Sequence, residues 1–242
     1  MTTDHEQAAD RVGAAAGRLL RTVDGLAGGG WEAPTLLPDW SRAHLVAHLA
    51  LNAEALTRLL HGVVAEPDDD VPRTMYDSDE QRAQDIETLA AAGPTEIRDH
   101  LLAATTTFAD AVAAVPPDGW ETRVERTPGG RTMRVASVPG MRLRELEIHH
   151  VDLHAGYATS DWSPAFAEHL VDAMTRRLHP ARGFEIRPVD SSRAWVVGAG
   201  ESEYPVPVVS GPAADVGWWL TGRVAPDSVS CSHGELPAIE GW

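Results

Sequence analysis

The sequence contains no lysine, so all 20 of its basic residues are arginines. This absence excludes chemistry that needs a lysine amine, such as Schiff-base catalysis, a lysine general base or a Walker-type phosphate loop. Any anionic substrate group must instead be bound by arginine, whose planar guanidinium donates two parallel hydrogen bonds to a carboxylate.

Cysteine is almost as scarce, because Cys231 is the only one. A single cysteine excludes an internal disulfide and a cysteine-rich zinc cluster. Cys231 lies in the polar segment DSVSCSHGELP, where His233 is the only potential activating group nearby in sequence. An activated protein thiol is therefore the less favoured interpretation.

Long apolar runs and positive charge are also lacking. No hydrophobic stretch approaches the roughly 18–20 residues that cross a membrane, and the polar, acidic N-terminus is unlike a secretory signal. The 36 acidic residues give a net charge of −16, which disfavours nucleic acids and anionic membranes as partners. We expect a soluble, cytoplasmic and monomeric protein.

Hydrophobic spacing predicts an α+β fold, with a four-helix bundle over residues 1–160 and a small α/β domain over residues 161–242. An acidic, exposed connector is expected over 65–74, and a short extended excursion with a turn over 120–135. The predicted helices are 4–27, 41–61, 79–91, 95–115, Met141 to about Ala155, 164–178 and 212–221. Short strands are predicted within FEIRPV, AWVVGA and YPVPVVSG and near 228–231.

The helix after Gly140 carries the most informative polar residues. Each residue of an α-helix is rotated by about 100°, which places Glu145, His149 and Asp152 within a sector of roughly 60°. Apolar residues flank this sector, so three titratable side chains lie in the predicted buried stripe. Burying them without partners costs several kcal/mol by typical transfer values, and a metal ion would compensate.

A second polar set on the same helix is predicted to be solvent-exposed. Glu147, His150 and His154 lie on the opposite side, next to Arg144. Surface histidines are common, so this set is the weaker candidate for metal binding. On this interpretation, a His150→Ala substitution should change little.

The second predicted helix offers further candidate ligands. His48 and Asn52 point into its leucine-lined arc, whereas His44 lies nearer the edge. A locally hydrogen-bonded histidine pair is an equally simple explanation of the His44–His48 spacing. Two histidines with one carboxylate form a known catalytic zinc set that leaves one position for water or substrate. Imidazole and carboxylate also suit iron, nickel or manganese.

Several segments resemble the mycothiol-dependent maleylpyruvate isomerases, a family of the larger DinB-like group of helical-bundle metalloproteins. The segments occur in the same order over nearly the whole chain. They are LLPDWSRAHLVAHLALNAEAL, MYDSDEQR, MRLRELEIHHVDL, VVSGPAADVGWWLTGR and GELPAIEGW.

This resemblance implies a DinB-like bundle in which zinc is held by His48, Glu145 and His149. It also implies that Arg82, Asp152 and Arg223 act in catalysis and bind the thiol cofactor or substrate. The implied reaction converts maleylpyruvate to fumarylpyruvate in gentisate-type aromatic breakdown. Mycothiol adds to the double bond, the resulting single bond rotates, and elimination releases the trans product, so no protein cysteine is needed.

Two alternatives remain open on the sequence alone. A mycothiol S-transferase, which releases the thiol adduct of another electrophile, would use the same zinc and thiol site. A non-enzymatic DinB-like metal-binding module is the third possibility, although no helix with a basic face supports a regulatory DNA-binding role. Both arginines, Arg82 and Arg223, favour a small dicarboxylate such as maleylpyruvate over a neutral electrophile.

Overall fold

The structure is a computed structural model that describes residues 4–26, 28–65, 74–180, 183–198 and 206–239. Most of the predicted connector, residues 66–73, lies outside the described residues. The same is true of residue 199 in the segment AWVVGA, residues 204–205 in YPVPVVSG and residues 240–242 in GELPAIEGW. The chain divides into two compact units, Met1–Gly156 and Tyr157–Trp242. No helix of the described segments is both long and apolar enough to cross a membrane.

Four long helices form the bundle of the first unit. They are α1 Asp4–Asp24, α2 Arg42–Val64, α4 Pro94–Ala114 and α5 Val138–Asp152, and a shorter helix is α3 Asp79–Ala90. Each long helix packs against two others, so that α1, α4, α2 and α5 follow one another in a closed ring. Helix α3 packs against α2. A small antiparallel pair, β1 Arg123–Glu125 and β2 Thr132–Arg134, forms the predicted extended excursion.

Reciprocal hydrogen bonds at Ser41 fix the start of α2. The Ser41 side chain accepts from the backbone amide of His44, and the His44 Nδ1 lies 3.3 Å from the Ser41 backbone nitrogen. This capping box satisfies two amides that the first turn of a helix leaves without partners. His44 also contacts Glu87 of α3 through its Nε2, so both ring nitrogens of His44 have partners in the cap and in α3.

Helix α5 begins and ends earlier than the sequence pattern predicts. It begins at Val138 and includes Pro139 in its first turn, where the missing amide hydrogen of proline costs nothing. It ends at Asp152 because His154 has a φ of 51°, a left-handed conformation that breaks the helix.

The predicted exposure of Glu147 and His150 is wrong. Their exposed fractions are 3% and 2%. Glu147 pairs with Arg18 of α1, and His150 Nε2 lies 2.7 Å from the hydroxyl of Thr22. Helix α5 packs against α1 as well as α2, so both of its sides are covered, and only His154 of the predicted exposed set is solvent-exposed.

We therefore expect His150→Ala to destabilise the protein, contrary to the sequence-based expectation. The substitution removes a buried hydrogen bond and leaves a cavity, which together should lower the free energy of unfolding by about 1–3 kcal/mol. Urea denaturation measures this change. His61→Ala is the matched control, because His61 is an exposed residue of α2. Equal stability of the two variants would contradict the burial argument.

The second unit is a small α/β fold, as the sequence predicts. Its four-stranded sheet has the order β4-β3-β5-β6, with β3 and β5 parallel and the other two pairs antiparallel. Helix α6 packs against α7, and the ring of Trp219 lies 5.8 Å from that of Phe184. The bounds are α6 Pro164–Thr175, β3 Phe184–Ile186, β4 Trp195–Val197, β5 Val208–Ser210, α7 Ala213–Trp219 and β6 Ser230–Cys231.

Candidate metal centre

His48 of α2 and the pair Glu145 and His149 of α5 converge between the two helices. The Oε2 atom of Glu145 lies 3.1 Å from His48 Nε2 and 3.3 Å from His149 Nε2. One potential ligand atom from each residue lies within 4.8 Å of the others. Nitrogen and carboxylate oxygen atoms at this separation can coordinate a single metal ion.

Arg42 joins the ends of the two helices that carry these residues. From the first residue of α2, its guanidinium donates to the carbonyl oxygens of Leu153, at 2.9 Å, and of His154. The Leu36 amide adds a hydrogen bond of 2.8 Å to the carbonyl oxygen of Asp152. These bonds hold the end of α5 against the start of α2, and they fix the spacing between His48 and His149.

Two of the three groups have shifted pKa values that suit metal binding. Burial lowers the pKa of His48 to about 4, although the neighbouring Glu145 carboxylate opposes this shift. Burial alone would raise the pKa of Glu145, but hydrogen bonds from His149 and His48 outweigh it and hold that pKa well below its usual range. Near neutral pH, His48 is therefore neutral and Glu145 ionised, the protonation states that a metal ion requires.

Asp152 orients the third group. Its side chain is fully buried, and its Oδ2 lies 2.8 Å from His149 Nδ1. With a proton on Nδ1 donated to Asp152, loss of the Nε2 proton to a metal ion would leave the Nε2 lone pair of His149 facing Glu145 and His48. Burial lowers the pKa of His149, but hydrogen bonds to Asp152 and Glu145 outweigh it, and the net effect raises this pKa.

Arg82 of α3 lies beside the same cluster. Ser78 caps α3 by accepting a hydrogen bond from the Gln81 amide, and Arg82 follows in the first turn. Its Nη2 lies 3.1 Å from His48 Nδ1, and its guanidinium carbon lies 5.6 Å from the centre of the Tyr76 ring. The structure thus brings Arg82 and Asp152 to the three candidate ligands.

Arg142 is a neighbour of the cluster that the sequence analysis missed. Its side chain is fully buried, and its Nη1 donates to the Leu49 carbonyl oxygen at 2.8 Å and to Asn52 Oδ1 at 2.9 Å. Burial lowers its pKa to about 10, against the opposing effect of Glu145, so Arg142 is charged at neutral pH. An arginine is expected to be exposed, and the helical pattern of α5 gave no reason to single this one out.

Arg223, the remaining predicted site residue, belongs to the second unit. It follows α7, and its guanidinium carbon lies 5.5 Å from the centre of the Trp218 ring. Its Nη1 also donates to the carbonyl oxygen of Thr221, at 3.2 Å. Both contacts tie the side chain to α7 and to the turn that follows it.

Comparisons with known proteins support the predicted family. Residues 12–154, more than half of the chain, match the family described as the mycothiol maleylpyruvate isomerase N-terminal domain. A crystal structure of a mycothiol-dependent maleylpyruvate isomerase is 28% identical, with a TM-score of 0.85 and coverage of 100% of both chains. A histidine-to-alanine mutant of such an isomerase is 26% identical, with the same TM-score and coverage. No curated protein sequence matches significantly. The family match and the two full-length structural matches together show that this chain belongs to the mycothiol-dependent maleylpyruvate isomerase family.

Proposed function

We propose that this protein is a zinc- and mycothiol-dependent isomerase that converts maleylpyruvate to fumarylpyruvate. The observation that carries the proposal is the convergence of His48, Glu145 and His149 in a member of this family. The substrate and thiol named for the structural relatives supply the reaction, and the residues around the cluster have the chemistry that such a reaction needs.

The donor set fits zinc. Two imidazoles and one carboxylate are ligands of catalytic zinc sites, which leave one coordination position for an exchangeable group. His48, Glu145 and His149 would hold the ion, and Asp152 would orient His149. Bound zinc would supply a positive charge that favours the thiolate form of mycothiol at neutral pH.

Arg82 is the candidate for binding the anionic substrate. A guanidinium only donates hydrogen bonds, so its contact with His48 Nδ1 requires that this nitrogen accepts and that Nε2 carries the proton. Metal binding at Nε2 requires the opposite tautomer. The Nη2 of Arg82 would then turn to another acceptor, and a substrate carboxylate or the oxygen of an enolate is suitable. Arg223 is proposed to contact the substrate or mycothiol in the same manner.

These assignments account for cis–trans isomerisation without a protein nucleophile. The mycothiol sulfur would add to the substrate double bond and move the π electrons onto the conjugated ketone oxygen. Arginine would stabilise that developing negative charge. Rotation about the new single bond and expulsion of the thiolate would restore the ketone and leave a trans double bond, so the thiol is regenerated.

A single assay tests the proposal. Maleylpyruvate is supplied to the zinc-loaded protein with mycothiol, with glutathione or without thiol, and isomerisation is followed by its ultraviolet absorbance change. We expect turnover with mycothiol and at most a small fraction of that rate in the other two reactions. Equal rates without thiol, or no turnover with any thiol, would refute the proposal. Accumulation of a stable mycothiol adduct in place of fumarylpyruvate would indicate an S-transferase.

A further inference from the structure

Arg82 lies beside the candidate metal centre, where its Nη2 is 3.1 Å from His48 Nδ1. It forms no ion pair with a carboxylate of the described segments, and its contacts are with His48 and Tyr76. The chain as a whole has 36 acidic residues against 20 basic ones. An arginine without a carboxylate partner beside a metal site is suited to bind an anionic ligand, provided that its long side chain is held in place.

Tyr76 lies where it can restrain this side chain. The backbone amides of Met75 and Tyr76 both donate to the carbonyl oxygen of Arg126, at 3.1 and 3.0 Å. The Arg126 guanidinium carbon lies 5.4 Å from the centre of the Tyr76 ring, and its Nη1 pairs with Asp79 at 2.7 Å. Two cations thus contact one aromatic ring, and the loop that carries this ring is bonded to the residue that directly follows β1.

The hydroxyl of Tyr76 interacts with a buried chain of polar groups that begins at Asn52. Asn52 is buried, and its Oδ1 accepts from Arg142, which leaves its amide nitrogen free to donate. Burial raises the pKa of Tyr76, the charge of Glu145 raises it further, and hydrogen bonds from Arg82 and Asn52 oppose the increase. The phenol therefore stays protonated at neutral pH, and its oxygen can accept from Arg82 and Asn52.

We propose that Tyr76 is a positioning residue, whose ring and hydroxyl hold the guanidinium of Arg82 beside the metal site to receive a carboxylate or enolate oxygen of a dianionic substrate. This inference rests on the proposed function. The physical reason is preorganisation. A free arginine side chain loses rotamer entropy when it is immobilised, and Tyr76 imposes that cost during folding and not during substrate binding.

A double-mutant cycle tests the inference with zinc-loaded wild type, Tyr76→Phe, Arg82→Lys and the combined variant. Phenylalanine keeps the ring and removes the hydroxyl, while lysine keeps the charge and removes the planar fork. We expect Tyr76→Phe to raise the KM for maleylpyruvate about tenfold, as for a lost hydrogen bond to a charged group. Its zinc content and its KM for mycothiol should equal those of the wild type.

The combined variant decides whether Tyr76 acts through Arg82. If it does, adding Tyr76→Phe to Arg82→Lys should raise the KM for maleylpyruvate by no more than about twofold, because coupled residues are not additive. Multiplicative losses, an unchanged KM in Tyr76→Phe or loss of zinc from that variant would each overturn the inference. Tyr157→Phe of the second unit is the control for the chemical change itself.

Binding of maleate, measured by calorimetry on the same four proteins, separates this inference from the proposed function. We expect the same coupling in the maleate Kd as in the KM. If the wild type does not turn over maleylpyruvate but maleate binding shows the coupling, the proposed function fails and the role of Tyr76 stands. If the wild type is an isomerase and Tyr76→Phe binds maleate equally well, only the role of Tyr76 is refuted. A wild type that does not bind maleate would also refute it.

Discussion

Replacing either His48 or Glu145 with alanine is expected to remove the bound zinc and the isomerase activity together. Each residue offers one of three potential ligand atoms that lie within 4.8 Å of one another. Two protein ligands hold zinc far more weakly than three, and even outer-shell changes cost about 10–100-fold in metal affinity. We therefore expect both zinc affinity and kcat/KM to fall by more than about 100-fold. Metal analysis after dialysis and the maleylpyruvate assay measure the two effects.

His44→Ala is the matched control for His48→Ala. Both histidines belong to α2, but the His44 ring is bound to Ser41 and Glu87. Its loss should cost about 0.5–2 kcal/mol of stability through the weakened cap and leave the zinc content unchanged. Full zinc occupancy in both His48→Ala and Glu145→Ala would refute the ligand assignment, and zinc loss from His44→Ala would indicate a different ligand set.

Asp152→Asn is expected to weaken zinc binding by about 10–100-fold while the fold is retained. Asparagine has nearly the same shape as aspartate but no charge. It therefore does not fix the Nδ1–H tautomer of His149, and it does not make the His149 ring more basic as a carboxylate does. The pH dependence gives an independent readout. Protons compete with zinc for His149, so zinc affinity should decrease as the pH falls through the raised pKa of this residue.

The expected change in the pH dependence of zinc affinity in Asp152→Asn follows from the groups that raise the pKa of His149. The hydrogen bond to Asp152 and its negative charge both raise the pKa of His149, so their loss lowers it. Acid should then begin to weaken zinc binding at a lower pH in the variant than in the wild type. Titrations of zinc affinity against pH would show this shift. Equal affinities and superimposable pH profiles would show that Asp152 does not orient the ligand.

The helical pattern predicted one side of α5 well and the other side poorly. Glu145, His149 and Asp152 were expected to be close together in the buried stripe, and the structure brings them together with His48. Their role as zinc ligands and as the orienting carboxylate stays a prediction. Glu147 and His150 were wrongly expected to be exposed, because rotation about a helix axis gives relative directions but not the number of neighbouring helices. In this bundle, α5 has neighbours on both sides.

Tyr76 and Arg142 show a second limit of prediction from the sequence. Tyr76 precedes α3 in the chain, and its loop is bonded to Arg126, directly after β1, which places the ring beside Arg82. Arg142 lies on the same helix as Glu145, but its burial depends on α2, whose Leu49 and Asn52 accept its hydrogen bonds. No spacing along the chain encodes either contact.

The sequence by itself determined the α+β class, most helix bounds, the family and the residues of α2 and α5 that could hold a metal. These properties depend on hydrophobic periodicity and on short motifs, which are local in the chain. Only the tertiary structure decided that His48 faces Glu145 while His44 caps its helix, that Glu147 and His150 are buried, and that Tyr76 and Arg142 adjoin the candidate metal centre. Each of these depends on which helices and loops meet, because burial and electrostatic environment arise from contacts between residues far apart in sequence.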